Sequence, residues 1–76
     1  MKKVKLGKYQ HYKGNIYQVL GIAHHSETLE KMVVYQAQYD SQELGKKPIF
    51  IRPLQMFLEQ VVVSGKKVPR FKYLGS

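Results

Sequence analysis

Apolar and polar positions along the chain alternate in short runs that turn residues interrupt, which is typical of strands rather than long helices. Residues 16–24 are apolar on both faces, as expected of a strand that is covered on both sides or sharply bent, and Gly21 is where we expect the bend. Residues 32–39 instead alternate, with Val33 and Tyr35 on the apolar face. The pattern predicts an all-β domain, with strands over residues 7–12, 16–24, 32–39, 49–52, 59–63 and 66–71.

Turn signals separate the predicted strands. Residues 13–15 supply the glycine and asparagine of a tight reversal, and residues 40–48 form the longest polar stretch, which we expect to be a mobile loop or one helical turn. Pro53 ends a strand and can start a helix, so residues 54–58 are predicted to form a short helical turn. Three apolar side chains of that turn would plug one end of a small barrel: Leu54, Met56 and Phe57.

The length of 76 residues fits one domain over residues 1–76 with a small core. We expect residues 1–6 and 74–76 to fray. The chain contains no cysteine, which favours a cytoplasmic protein over a disulfide-stapled secreted scaffold. No apolar run of signal-peptide or membrane-spanning length is found in it, so we expect neither export nor membrane insertion.

Five segments, spread in order over nearly the whole chain, carry a resemblance to a known family: Gly7-x-Tyr9-x-His11-Tyr12-Lys13-Gly14, His25-Ser26-Glu27-Thr28, Val34-Tyr35, Arg52-Pro53-Leu54-x-Met56-Phe57 and Gly65-Lys66-Lys67-Val68-Pro69-Arg70-Phe71. They resemble a bacterial family of small SH3-like barrels, the domain-of-unknown-function family number 1653. The resemblance implies a partly open roll of five or six strands. It implies no activity, because that family has no established ligand or reaction.

The charge of the chain is strongly positive. Thirteen basic and five acidic residues give a formal net charge of +8, which attracts phosphates, acidic proteins and anionic surfaces over roughly 8–10 Å. Many of the lysines cluster near ends and turns, where solvated charge also serves solubility. The sign of the charge therefore indicates the class of partner but does not identify one.

Six tyrosines are more than a minimal barrel core requires. Surface tyrosines beside cations would form a platform on which unpaired bases stack, whereas tyrosine is also common in half-buried sheet positions. We predict a non-catalytic binding module whose ligand is single-stranded nucleic acid or an acidic protein segment. Self-association through an exposed strand edge is a further alternative. The predicted binding residues are Tyr9, Tyr12, Lys13, Tyr35, Arg52 and Arg70.

Arg52 is the cation for which two explanations stay open. It can be satisfied inside the chain, by one of three glutamates (Glu27, Glu30 or Glu59) or by stacking on one of three tyrosines (Tyr9, Tyr12 or Tyr35). It can instead offer an exposed guanidinium fork to a phosphate or carboxylate. The burial of its side chain distinguishes the two.

The histidines suggest an alternative function. His11, His25, Glu27 and Arg52 would have to meet in one cleft for the chain to be an enzyme or an enzyme-accessory domain. Against catalysis, neighbouring strand residues point to opposite faces, so contiguous His25, Ser26 and Glu27 do not form a nucleophilic triad. The histidines and carboxylates also lack zinc-ligand spacing. We therefore expect no metal and no cofactor, and a turn in which Ser26 or Thr28 caps backbone donors.

Overall fold

Seven strands and one short helix make up the computed structural model, which describes residues 4–76. In chain order they are β1 (Gly7–His11), β2 (Ile16–His24), β3 (Lys31–Ala37), β4 (Ile49–Pro53), α1 (Leu54–Leu58), β5 (Gln60–Val63), β6 (Lys66–Pro69) and β7 (Phe71–Gly75). The predicted mainly-β class is confirmed, with one strand more than the five or six expected. The bounds of β2 and α1 agree with the prediction.

Five strands form one antiparallel sheet in the order β4-β3-β2-β1-β7, and β5 and β6 pair in a separate hairpin. The long strand β2 pairs with both β1 and β3, and its register with β3 shifts between Val19 and Gly21. Such a bulge bends a strand and increases its twist, and it lies where the sequence predicts the bend. The edge strands β4 and β7 are not paired with each other, so the roll stays partly open as predicted.

The core lies on the concave face of the sheet. Alternate residues of β1, β2 and β3 point into it, and β7 and α1 each add a phenylalanine: Tyr9, Tyr17, Val19, Val33, Tyr35, Ala37, Phe57 and Phe71. Phe57 of α1 stacks on Phe71 with ring centroids 4.2 Å apart. Leu54 packs against this cluster. Two of the three predicted plug residues, Leu54 and Phe57, therefore cover one end of the roll, whereas Met56 is exposed. The helix has five residues, and no helix in residues 4–76 is long and apolar enough to cross a membrane.

The end of the chain differs from the prediction. Residues 66–71 are not one edge strand, because the chain breaks at Arg70 and leaves the hairpin to pair with β1. Two long-range bonds fix the break: the backbone N–H of Arg70 donates to Glu59 (3.0 Å), and its carbonyl accepts from Tyr12 (2.9 Å). Residues 74 and 75, expected to fray, belong to β7, and Gly75 pairs with Lys8.

Two other segments also differ from expectation. Of residues 1–6, expected to fray, residues 1–3 lie outside the described part of the chain, and Val4 packs against the core. The predicted loop at residues 40–48 contains a defined turn, in which the backbones of Ser41 and Gly45 bond each other at 2.8 and 2.9 Å. The Asp40 carboxylate accepts from the N–H of Lys47 (3.2 Å) and ties the loop across its base.

Candidate functional site

Two of the predicted binding tyrosines are part of the core. The side chains of Tyr9 and Tyr35 are 6% and 5% exposed, because both alternate onto the concave face of the sheet. The Tyr9 hydroxyl donates to the carbonyl of Lys5 (2.8 Å), and burial raises the pKa of Tyr9. Their predicted position on an outward face is therefore wrong. Tyr12, at 39% exposed, keeps an accessible ring.

The turn between β1 and β2 positions His11, Tyr12 and Lys13. The N–H of His11 donates to Asn15 (2.8 Å), and its carbonyl accepts from Gly14 (2.7 Å), whose φ of +111° suits glycine. The imidazole Nδ1 of His11 accepts from the backbone N–H of Lys13 (3.2 Å). The Lys13 ammonium in turn lies 5.8 Å from the centroid of the Tyr12 ring. The turn thus holds a histidine, an exposed phenol and a cation together.

Arg52 reaches the same region from β4. It pairs with Val33 across the sheet, so its side chain points to the concave side. Its Nε donates to the Tyr35 hydroxyl (3.3 Å), and its guanidinium carbon lies 5.6 Å from the centroid of the Phe71 ring. Since Arg52 is on β4 and Phe71 is on β7, this contact joins the two edge strands across the opening of the roll.

Arg70 lies beside that contact, at the start of β7. Its Nη2 is 3.9 Å from the Glu59 carboxylate, a long ion pair with an exposed partner and therefore a weak one. Its Nε is buried and has no hydrogen-bond partner among the described residues. Such a donor is costly to leave unpaired, although its burial also keeps it from an external ligand.

His11 and Arg52 both contact Phe71, and Tyr12, Lys13 and Arg70 adjoin them. The His11 ring packs edge-on against it with centroids 5.0 Å apart. Burial lowers the pKa of His11, and the nearby charges of Arg52, Arg70 and Lys13 lower it further. We name this region the cationic seam and define it as His11, Tyr12, Lys13, Arg52, Arg70 and Phe71.

The remaining predicted candidates lie elsewhere. In the turn between β2 and β3, His25 Nδ1 accepts from the N–H groups of Glu27 (3.1 Å) and Thr28 (3.3 Å). Thr28 Oγ1 accepts from the N–H of Glu30 (3.2 Å), as the predicted capping turn requires. The nine-residue strand β2, up to about 30 Å long at its usual rise, separates this turn from His11.

The predicted catalytic cleft of His11, His25, Glu27 and Arg52 is therefore not assembled. The sequence suggested this cleft only because the four residue types can act together in catalysis. In the structure, the length of β2 keeps His25 and Glu27 at the far end of the sheet. Within residues 4–76, no three histidines or carboxylates are arranged to hold a metal ion.

A groove of about 520 Å³ opens beside the seam, between the β1–β2 turn and strands β6 and β7. Its lining includes Gln10, His11, Tyr12, Val68, Pro69 and Lys72. The sequence predicts neither this groove nor the contacts of Phe71 with Arg52 and His11. A separate β7 creates both, and the apolar pattern through residues 68–71 gave no sign that the strand would break.

The chain matches the family model described as Protein of unknown function (DUF1653) over residues 7–73. It is also similar to a protein from Bordetella bronchiseptica, whose crystal structure is that of a member of the same family. The two chains are 37% identical and superpose with a TM-score of 0.86, which covers 99% of this chain and 92% of the other. Among curated proteins, none matches the chain. These similarities confirm the family that the five sequence segments indicate.

Proposed function

The chain belongs to the DUF1653 family of proteins of unknown function, and we propose that it is a non-catalytic module that binds single-stranded nucleic acid at the cationic seam. One observation carries the proposal. The Arg52 guanidinium lies over the Phe71 ring, Arg70 is the residue before Phe71, and Lys13 lies in the neighbouring turn; within residues 4–76, the one ion pair that any of them forms is the 3.9 Å contact of Arg70 with Glu59. An excess of positive charge at an open edge is the electrostatic requirement for phosphate binding.

The guanidiniums suit phosphate for geometric reasons. Within residues 4–76, Arg52 donates a hydrogen bond only through its Nε, to Tyr35. The paired N–H groups of its fork remain for a ligand, and a planar fork binds phosphate in a bidentate manner. The contact with Phe71 holds the fork in place, so little side-chain freedom is lost on binding. The hydrogen bond to Tyr35 engages Arg52 Nε inside the chain, and the proposal assigns the rest of the fork to the ligand.

Nucleic acid is favoured over an acidic protein segment by the exposed ring within the seam. A carboxylate needs only the guanidiniums, whereas a nucleotide presents a phosphate and a flat base together. Tyr12, accessible and packed against His11 with centroids 4.5 Å apart, offers a surface for that base. The net charge of +8 attracts a long polyanion beyond the seam itself. We also propose that residues 1–76 act as one domain in the bacterial cytoplasm.

The test is a titration of fluorescently labelled single-stranded RNA at several salt concentrations. With three seam cations on phosphates, the log-log salt slope should be about −2, which is roughly a 20-fold loss of affinity between 50 and 200 mM salt. The double variant Arg52→Gln with Arg70→Gln should make the slope shallower by about 1.4. Arg52→Lys, which keeps the charge but not the fork, should keep the slope and lose affinity.

The matched control is Lys8→Gln with Lys46→Gln, which removes two exposed cations that lie outside the seam. It should retain most of the affinity. Thermal melting confirms that each variant is folded, which matters because Arg52 contacts buried Tyr35. Undetectable binding at low salt, or equal losses in the two double variants, would contradict the proposal. Binding of poly-glutamate in place of RNA would assign the seam to an acidic protein segment.

A further inference from the structure

The groove beside the cationic seam has the size and lining of a small-molecule site. Its volume of about 520 Å³ lies within the range of about 300–1,000 Å³ that is typical of ligand pockets. Val68 and Pro69 form an apolar wall, and His11 and Tyr12 also line the groove. Lys72 is its one lysine, and none of the lining residues is acidic. The groove therefore suits a flat apolar group that is attached to a negative charge.

Polar groups in the lining are suited to the edge of a base. Gln10 donates through its amide nitrogen to the Gly14 carbonyl (3.2 Å), which leaves its amide oxygen free to accept. His11 accepts through Nδ1 from Lys13, so the neutral ring carries its proton on Nε2. Burial and the nearby cations lower the pKa of His11, which favours this neutral form at pH 7. The groove thus has an acceptor in Gln10 beside its apolar wall, and the His11 ring at its margin packs on Phe71.

The groove and the seam share two residues and are linked by a backbone hydrogen bond. His11 and Tyr12 belong to both, and the N–H of Tyr12 donates to the carbonyl of Arg70 (2.9 Å). A ligand group in the groove would therefore lie next to this backbone contact, with Lys72 in the lining available to its linked phosphate. This link distinguishes the groove from an isolated apolar depression.

We propose that the groove binds one unpaired nucleobase, stacked on Tyr12, while the adjoining phosphates occupy the cationic seam. The inference rests on the proposed function and deepens it, because it makes the ligand a nucleic acid rather than a polyanion of any kind. Base stacking on an aromatic side chain commonly accounts for about 5- to 150-fold in affinity. Charge attraction to the seam needs no base at all.

The experiment compares two probes of similar charge: labelled oligouridine, and inorganic polyphosphate as a competitor that has no bases. Tyr12→Ala should weaken oligouridine binding at least fivefold and leave polyphosphate binding unchanged. Tyr12→Phe, which keeps the ring, should bind oligouridine nearly as well as the wild type. The matched control is Tyr73→Ala, since Tyr73 has the same 39% exposure as Tyr12 and does not line the groove.

The outcomes separate the two proposals. If Tyr12→Ala leaves oligouridine affinity unchanged, or weakens both probes equally, the base site is wrong although anion binding at the seam stands. If the wild type binds neither probe, the proposed function fails and the groove assignment fails with it. A melting curve for each variant shows that loss of binding is not loss of folding.

Discussion

At the scale of single residues, Tyr17 shows how the core controls a titratable group. The ring is 9% exposed and packs edge-on against Tyr35 and Phe71, with centroids 5.3 and 5.8 Å away. Its hydroxyl lies 3.0 Å from that of Tyr39. Burial, followed by this hydrogen bond, raises the pKa of Tyr17 to about 12. A phenolate among these rings would lose its hydration without gaining a cation.

This shift makes the stability of the fold depend on alkaline pH. The folded pKa of Tyr17, about 12, exceeds the ordinary value of about 10, so the folded state keeps the proton longer than the unfolded state. The stabilisation is complete below pH 10 and is lost as pH rises towards 12. Between these values, the free energy of unfolding of the wild type should fall more steeply than that of Tyr17→Phe, by up to about 1.4 kcal/mol per pH unit.

Urea unfolding at pH 8, 10 and 11 measures this difference. Lysines titrate in the same range but do so equally in both proteins, so the difference between the two curves isolates Tyr17. Tyr12→Phe, which removes an exposed hydroxyl, is the matched control and should follow the wild type. Parallel curves for wild type and Tyr17→Phe would show that the phenol does not titrate as the burial requires.

The sequence correctly indicated that Arg52 has a partner inside the chain but misplaced two of the tyrosines. An arginine between Ile51 and Pro53 needs a partner, and Tyr35 is among the predicted ones. The prediction was that the guanidinium stacks on the Tyr35 ring, whereas the structure shows a hydrogen bond from Arg52 to the Tyr35 hydroxyl. The alternation of β3 correctly put Val33 and Tyr35 on one face. It could not show that this face is the core, because tyrosine suits a buried sheet position as well as a surface.

At the scale of elements, β1 and β7 approach each other closely because of one glycine. Gly7 has a φ of +135°, and a Cβ at this position would lie 2.6 Å from the carbonyl oxygen of Gly75. Backbone atoms cannot move aside as a side chain can, so any larger residue must separate the two strands. The contact matters for the site, since β7 begins with Phe71 of the cationic seam.

Gly7→Ala should therefore destabilise the protein more than a glycine substitution that meets only backbone strain. Gly14→Ala is the control, because Gly14 also has a positive φ, of +111°, but has open space around it. Backbone strain alone should lower the free energy of unfolding by about 1–3 kcal/mol. The collision at Gly7 should lower it by about 1–3 kcal/mol more. Denaturant unfolding of the two variants measures both. Equal losses of stability in the two variants would mean that β1 and β7 can separate without destabilising the fold.

The elements themselves differ in how far the sequence determines them. β2 and α1 have the predicted bounds because strong local signals define them: a long apolar run in β2, and Pro53 at the start of α1. The break between β6 and β7 has no such signal. It depends on the bonds of Arg70 with Glu59 and Tyr12, partners that are distant in sequence. The groove and the seam both depend on that break, so their geometry could not be predicted.

At the scale of the whole molecule, charge is distributed over a body small enough for most charges to interact. The principal extents are 38 × 35 × 24 Å, and the chain has thirteen basic and five acidic residues. In residues 4–76 a single ion pair is formed, at 3.9 Å. The Debye length is about 30 Å at 0.01 M salt and about 3 Å at 1 M. Repulsion therefore spans the molecule at low salt and is confined to neighbours at high salt.

Sodium chloride should consequently stabilise the free protein while it weakens the binding of RNA. Raising the salt from 0.01 to 1 M should raise the melting temperature, by about 4–8 °C for each 1 kcal/mol of repulsion removed from a domain of this size. Two exposed substitutions of opposite sign test the cause. Lys67→Gln lowers the formal charge from +8 to +7 and should reduce the salt-dependent gain, whereas Glu43→Gln raises it to +9 and should increase the gain. Calorimetry of the three proteins at both salt concentrations decides the matter, because a general effect of salt on apolar hydration would give all three the same gain.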